Sequence, residues 1–212
     1  MKKIKTMVVS LSFLLAFMLW TMLLVTVDVK NIGPNNSSVG LATLNGYVHN
    51  LTSENLALYL ITDWLGLVPI AFSLAFSVVG FIQWLKRKKI LNVDKDILLL
   101  GVFYIIVFSL YVVFEYVVIN YRPILINGIL EASYPSSTTL LVTCVMPTTI
   151  IQFNRRIKKR TLSKFVNFII CAFICFMVIG RLLSGVHWFT DIVGGILLSI
   201  GLVVGYYGLF KS

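Results

Sequence analysis

The chain has 212 residues, of which 58% are hydrophobic and only 12% charged, with a formal net charge of +10. A soluble globular domain carries roughly a quarter charged residues, and a disordered chain is poor in apolar ones. Both are excluded, and an all-α, multi-pass membrane protein is expected.

A helix crosses the hydrocarbon core with about 20 mostly apolar residues. Stretches of this kind predict six spans, at about 7–27, 64–85, 97–118, 134–153, 165–181 and 190–210. The first follows Lys2, Lys3 and Lys5 and is too long for a signal-peptide core, so it reads as a retained helix. The connection 28–63 is the longest. It opens with a loop, Asn31-Ile-Gly-Pro-Asn-Asn-Ser-Ser38. Leu51-Thr-Ser-Glu54 then begins a helix carrying Leu56, Tyr59 and Leu60, expected to lie on the membrane surface. Asn35, Asn36 and Asn50 each start an N-x-S/T triplet, read as chance in a chain taken as bacterial. His49 reads as a surface residue. The fifth span is short, and Arg181 can snorkel from its end.

All but Lys30, Arg122 and Arg181 of the 18 basic residues fall on one side of an alternating six-helix layout. That side is expected to be cytoplasmic, with both termini on it, in the plasma membrane. The run Arg155-Arg-Ile-Lys-Lys-Arg160 reads as a topology signal, and no nucleic-acid partner is expected. Trp64, Trp84 and Trp188 stand at span ends as interfacial aromatics do. Cys144, Cys171 and Cys175 build no disulfide framework, and Cys171 and Cys175, four apart in an apolar run, read as packing residues. No repeat or soluble domain interrupts the chain, so 1–212 is expected to be a single bundle. The oligomeric state is left open.

Polar residues near membrane depth are costly and therefore functional candidates. They gather at three outer-face places: Arg122 in Asn120-Tyr-Arg-Pro123, Ser136 and Ser137 in Pro135-Ser-Ser-Thr138, and Arg181 with His187 and Asp191. Two guanidinium forks match phosphate oxygens bidentately. A serine and free amides at a helix start add donors. His187 and Asp191 are four apart, so a helical turn stacks them. The carboxylate can orient the imidazole and leave its other nitrogen to attack. This is a nucleophilic histidine facing a phosphoryl group. One histidine and one carboxylate are too few ligands for a two-metal clamp, so no metal and no cofactor are expected.

From Glu115 to Asp191 these residues resemble the type 2 phosphatidic acid phosphatase family, integral-membrane lipid phosphatases related to vanadium haloperoxidases. The family motifs are K-x6-R-P, P-S-G-H and S-R-x5-H-x3-D. Arg181-x5-His187-x3-Asp191 keeps every spacing of the third, with Gly180 for its serine. The first survives as Arg122-Pro123 and the second as Pro135-Ser136. The resemblance implies that His187 forms a phosphohistidine and that Asp191 orients it. Arg122, Arg181, the Ser136 hydroxyl and the Ser137 N–H would hold the phosphate oxygens.

Two departures bear on activity. Glu115 stands where the family has lysine, and an ion pair with an arginine is the expected arrangement. Thr138 stands where the family has the histidine that protonates the leaving oxygen. General acid catalysis contributes typically about 10²–10⁴-fold, so an alkoxide leaving group should suffer and a diphosphate less. Three accounts of Thr138 are open: an introduced substitution, which the intact Ser133-Tyr-Pro-Ser-Ser137 frame favours; a naturally degenerate site; or a replacement acid, Glu131 or Glu115. For Glu131 a solvated loop carboxylate is the weightier reading. The expected function is a lipid phosphate or diphosphate phosphatase acting on a prenyl diphosphate, phosphatidic acid or phosphatidylglycerol phosphate. A lipid-phosphate-binding protein without turnover and a lipid phosphotransferase are the alternatives.

Overall fold

A computed structural model describes residues 2–211, apart from the side chain of Lys2. Met1 and Ser212, the ends of the expected single unit, lie outside the described residues. The fold is all-helical: α1 (Lys2–Thr26), α2 (Ala42–Thr52), α3 (Leu56–Leu65), α4 (Leu67–Arg87), α5 (Lys95–Tyr116), α6 (Ser137–Arg156), α7 (Arg160–Leu183) and α8 (Phe189–Phe210). Two short 3₁₀ turns, Pro34–Asn36 and Ile90–Asn92, and isolated β-bridges accompany them among the described residues.

Five helical segments are long and apolar enough to cross a membrane: Lys3–Thr26, Leu56–Arg87, Lys95–Tyr116, Arg160–Leu183 and Phe189–Phe210. The expected fourth span, α6, is not among them because its five threonines, with Pro147, Gln152 and Asn154, lower its hydropathy. Four of those five hydroxyls are bonded within the protein, Thr139 donating to Ser136 Oγ at 3.0 Å. Thr143, Thr148 and Thr149 donate to the carbonyls of Thr139, Cys144 and Val145, four residues earlier. The helix satisfies its own polar groups, as a segment away from water must. It is also the enclosed element, packed against α4, α5, α7 and α8. Leu140, Val142, Cys144, Val145 and Met146 are all buried along it.

α1 and α8 make the most extensive helix pair. Gly201, Gly205 and Gly208 of α8 face Leu14, Ser10 and Thr6 of α1. Small residues in such a row let backbones approach and pack without side-chain bulk between them. Ser10 Oγ donates to the Gly201 carbonyl at 2.7 Å across this contact. At the far end of the bundle, Asp96 is buried at the start of α5. It pairs with Arg156 at 2.9 Å and Arg155 at 3.5 Å, both from the end of α6. Gln152 joins this group to α8 by donating to the Tyr206 hydroxyl at 2.7 Å.

Several expectations are corrected. The surface helix around Leu56 is α3, which runs into α4 through Gly66 in helical geometry and packs on α7. Trp188 is buried rather than interfacial, its Nε1 donating to the Tyr121 carbonyl at 2.7 Å. Cys144 is buried, whereas Cys171 and Cys175 lie exposed on α7 and pack against nothing in the core.

Candidate active site

The ends of α5, α6, α7 and α8 meet at one end of the bundle, and their connections supply the site. Between α5 and α6 the chain folds back as a short hairpin. Asn127 and Gly128 both have positive φ, 52° and 78°, the geometry of a two-residue type I′ turn, for which Asn-Gly is the preferred pair. Ile126 and Ile129 close the turn, and Tyr121 bridges Ala132. The Arg122 N–H donates to the Glu131 carbonyl at 3.0 Å, so these two residues stand opposite each other. Their side chains follow suit: Arg122 Nε lies 2.9 Å from Glu131 Oε2.

The second connection, from α7 to α8, is held from both sides. Gly185 has φ +69°, and a Cβ there would strike the Ser53 carbonyl, so only glycine fits between the loop and the end of α2. Ser184 Oγ donates back to the Arg181 carbonyl at 2.8 Å. Asp191, at the third position of α8, accepts the Trp188 N–H at 2.8 Å on Oδ2. A carboxylate reaching back to the cap residue in this way fixes both the helix start and its own rotamer. Asn45 of α2 secures the same turn, donating to Thr190 Oγ1 at 2.9 Å and accepting its N–H at 3.2 Å.

Four of the expected residues converge: Arg122, Arg181, His187 and Asp191, all buried. Arg181 Nη2 is 3.1 Å and Arg122 Nη1 3.3 Å from His187 Nε2. Arg181 is braced by Thr62 Oγ1 at 3.5 Å, Asp63 at 3.6 Å and the Tyr59 ring, 5.1 Å below its guanidinium carbon. On the other ring nitrogen, Asp191 Oδ2 stands 3.7 Å from Nδ1. That exceeds hydrogen-bond distance, and Ser133 Oγ is nearer, at 3.2 Å. The Ser133 hydroxyl in turn donates to Asp191 Oδ2. Burial and then the charges of Arg122 and Arg181 push the His187 imidazole well below its ordinary range, against a smaller opposing pull from the Ser133 backbone carbonyl. The ring is therefore neutral at pH 7, the form in which a nitrogen can attack.

The remaining expected residues are arranged differently. Ser136 is the N-cap of α6, its Oγ accepting the Thr139 N–H at 3.4 Å and the Thr139 hydroxyl at 3.0 Å. Its own N–H donates to the Asp191 carbonyl, tying α6 to α8. Ser137 opens α6 and lines a narrow cavity with Glu115, Ser133 and Pro135. Thr138 is partly buried against the α3–α4 junction, with its methyl 3.5 Å from where a Cβ at Gly66 would lie. Glu115 is exposed at the end of α5 and forms no ion pair among the described residues. The carboxylate on Arg122 is Glu131 instead, since the hairpin registers it there. Glu131 is accordingly an ion-pair partner and not a free loop carboxylate. His49 packs its ring 5.5 Å from Trp188, outside the cluster.

Sequence reasoning did not single out Ser133, Glu131 as a partner, or Asn45. The Asn127-Gly128 pair was the available signal for the hairpin, and with it for the Arg122–Glu131 pairing. Among the described residues no three of His, Cys, Asp and Glu converge as a metal-binding group.

Comparison with known proteins agrees with the motif reading. Residues 114–211 match the family model described as the PAP2 superfamily. Over this segment, 98 of the 212 residues, the chain is similar to the PAP2 superfamily. The fold extends the likeness beyond the segment. A crystal structure of a transmembrane PAP2-type phosphatidylglycerolphosphate phosphatase from Bacillus subtilis superposes with a TM-score of 0.58 and 20% identity, covering 95% of this chain and 96% of that one. No curated protein gives a significant sequence match. The PAP2 segment begins at Phe114 and so contains every member of the cluster around His187.

Proposed function

We propose that this chain is a metal-independent lipid phosphate or diphosphate phosphatase that works through a phosphohistidine on His187. The observation that carries the proposal is the pair of guanidinium groups at 3.1 and 3.3 Å from His187 Nε2. Phosphate oxygens would take over the donors of those two forks and set phosphorus beside Nε2, the unprotonated ring nitrogen, whose lone pair is thereby released.

The reaction follows from that geometry. His187, neutral, attacks phosphorus through Nε2 while the bond to the leaving oxygen breaks. Arg122 and Arg181 hold the oxygens whose charge grows in the transition state, the kind of fixed electrostatic contact that contributes most to such reactions. The imidazole becomes positively charged, and the Asp191 carboxylate offsets that charge across the Ser133 hydroxyl. Water then attacks phosphorus, the P–N bond breaks, phosphate departs, and the ring returns to its neutral form. Thr138 cannot supply the proton for an alkoxide leaving group near neutral pH. A prenyl diphosphate, whose leaving phosphate needs little protonation, is therefore the preferred substrate. Phosphatidic acid and phosphatidylglycerol phosphate, the latter named for the Bacillus subtilis protein, are the other candidates.

The proposed setting is a plasma membrane crossed six times, with α6 as the central span and both termini cytoplasmic. The basic residues at the far end of the bundle support this orientation, which puts the His187 cluster on the outer face. Residues 1–212 form one unit in this reading, with a lipid as the partner and no nucleic acid.

The second reading, binding without turnover, draws on Glu131. Its carboxylate occupies Arg122, and Thr138 stands where an acid is needed. Phosphate release from prenyl diphosphate and phosphatidic acid, in detergent with chelator, separates the two. Release above a His187→Ala blank supports the phosphatase. Lipid-phosphate binding that depends on Arg122 and Arg181 without release supports the binding protein.

A further inference from the structure

Arginine has five N–H donors and no acceptor. Both side chains that approach His187 Nε2 are arginines, so Nε2 must be the acceptor and the proton of the neutral ring sits on Nδ1. That proton needs an acceptor of its own, since the ring is buried and an unmet donor there is costly. Asp191 Oδ2 is too far at 3.7 Å. Ser133 Oγ is within reach at 3.2 Å, and having accepted, it donates its own hydrogen to Asp191 Oδ2. The chain of donors then runs one way, from Nδ1–H to Oγ and from Oγ–H to the carboxylate.

Ser133 is itself held in place. Its N–H donates to the Asn120 carbonyl at 2.9 Å across the base of the hairpin. It lies in the PAP2 segment yet outside each motif spacing, two residues before the Pro135-Ser136 pair. The carboxylate it serves is fixed independently by the Trp188 N–H.

From this geometry we infer that Ser133 is a positioning residue, whose hydroxyl joins Asp191 to His187 and holds the imidazole with Nε2 free toward phosphorus. It touches neither substrate nor phosphate, and it acts through His187. In this chain the histidine–carboxylate pair is a three-membered relay with serine in the middle. The inference rests on the phosphatase reading for its kinetic consequence but not for its structural one.

The test reads both. The chain has two histidines, so nitrogen-15 histidine labelling in micelles, with His187→Ala to assign the signals, reports the His187 ring directly. The wild-type and Ser133→Thr proteins are expected to show an Nδ1–H tautomer with a downfield, slowly exchanging proton. In Ser133→Ala that proton should move upfield and exchange faster, since only the backbone carbonyl remains near it. On prenyl diphosphate, Ser133→Ala should lose about 10–100-fold in kcat, the value of one hydrogen bond to a charged partner, with KM nearly unchanged. Ser133→Thr should recover most of the loss. An unaltered ring proton in Ser133→Ala, or an Nε2–H tautomer in the wild type, overturns the inference whatever the activity. Equal kinetic losses in both variants overturn it too, because a packing role cannot distinguish a retained hydroxyl. Absence of turnover in the wild type defeats the phosphatase reading alone, and the ring signals still decide for or against Ser133.

Discussion

Arg181 and His187 lie six residues apart in the chain, and the turn between them returns Nη2 of one to within 3.1 Å of Nε2 of the other. The arginine comes from the last turn of α7 and the histidine from the connection to α8. The spacing of the motif is thus the length of chain needed to leave one helix, pass Gly185 and aim an imidazole back at the guanidinium. Replacing Arg181 by lysine keeps the charge but not the fork. A loss of about 10²–10³-fold in kcat/KM is expected, about 3–4 kcal/mol of transition-state stabilisation. Steady-state phosphate release measures it, and a loss under threefold would remove Arg181 from the chemistry.

The acid side of the pH profile should be unusual. In the proposed mechanism His187 reacts as a neutral ring, and burial with two adjacent cations lowers its protonation below the ordinary 6.5. Activity is then retained as pH falls through 6.5 and lost only further down. Stability follows the same sign. Below 6.5 the unfolded chain takes up a proton that the folded one refuses, so the melting temperature should fall as the pH drops toward the folded value. A His187 ring that takes up its proton at or above 6.5, read by nitrogen-15 shifts of the imidazole, would contradict this assignment.

Thr138→His should restore an acid beside the leaving oxygen. On phosphatidic acid the gain is expected to be about 10²-fold or more, within the usual span for general acid catalysis. On prenyl diphosphate it should be much smaller. The ratio of the two gains, from parallel phosphate-release assays, is the quantity to compare, and equal gains would argue against a leaving-group role at this position.

Gly180 occupies the place where the family pattern has serine, and the packing of α7 against α3 accounts for it. A Cβ there would lie 2.8 Å from Thr62 Cγ2 and 3.6 Å from the Leu58 side chain. Gly180→Ser, although it completes the motif, should destabilise the protein by about 1–3 kcal/mol through overpacking. It should also disturb Arg181, which Thr62 braces. A lower melting temperature in detergent, with no gain in activity, is the expected result.

The Asp96 cluster is a purely structural counterpart at the other end. Asp96→Ala leaves Arg156 without its carboxylate, at a cost of about 2 kcal/mol. That is less than the roughly 3–5 kcal/mol of a fully buried pair, because solvent reaches the arginine. The melting temperature should fall while activity well below the transition stays unchanged.

The apolar runs made the helices legible, because length and lack of charge are what a bilayer demands. The third-motif residues were legible because their spacing equals the geometry of one turn. What stayed hidden depended on contacts that spacing does not encode. Ser133 carries no periodic signal, and its role emerges only when the hairpin and the start of α8 come together. Glu115 was favoured over Glu131 as the arginine partner because it sits in the motif, whereas the partner is chosen by hairpin register. Trp188 looked interfacial by its place at a span end, but its indole is drawn inward by the Tyr121 carbonyl. α2 was not anticipated, because its mixed, glycine-containing sequence has no strong stripe. It is held by Asn45, a buried side chain that bonds Gly40 and Thr190.

The most direct measurement is a rapid-quench search for phosphate on the protein, using phosphorus-labelled prenyl diphosphate and mass spectrometry of the peptide containing His187. The account predicts an acid-labile phosphohistidine at His187 that forms before phosphate is released and is absent from His187→Ala. Phosphate release with no label on His187, or release that survives His187→Ala, would contradict it.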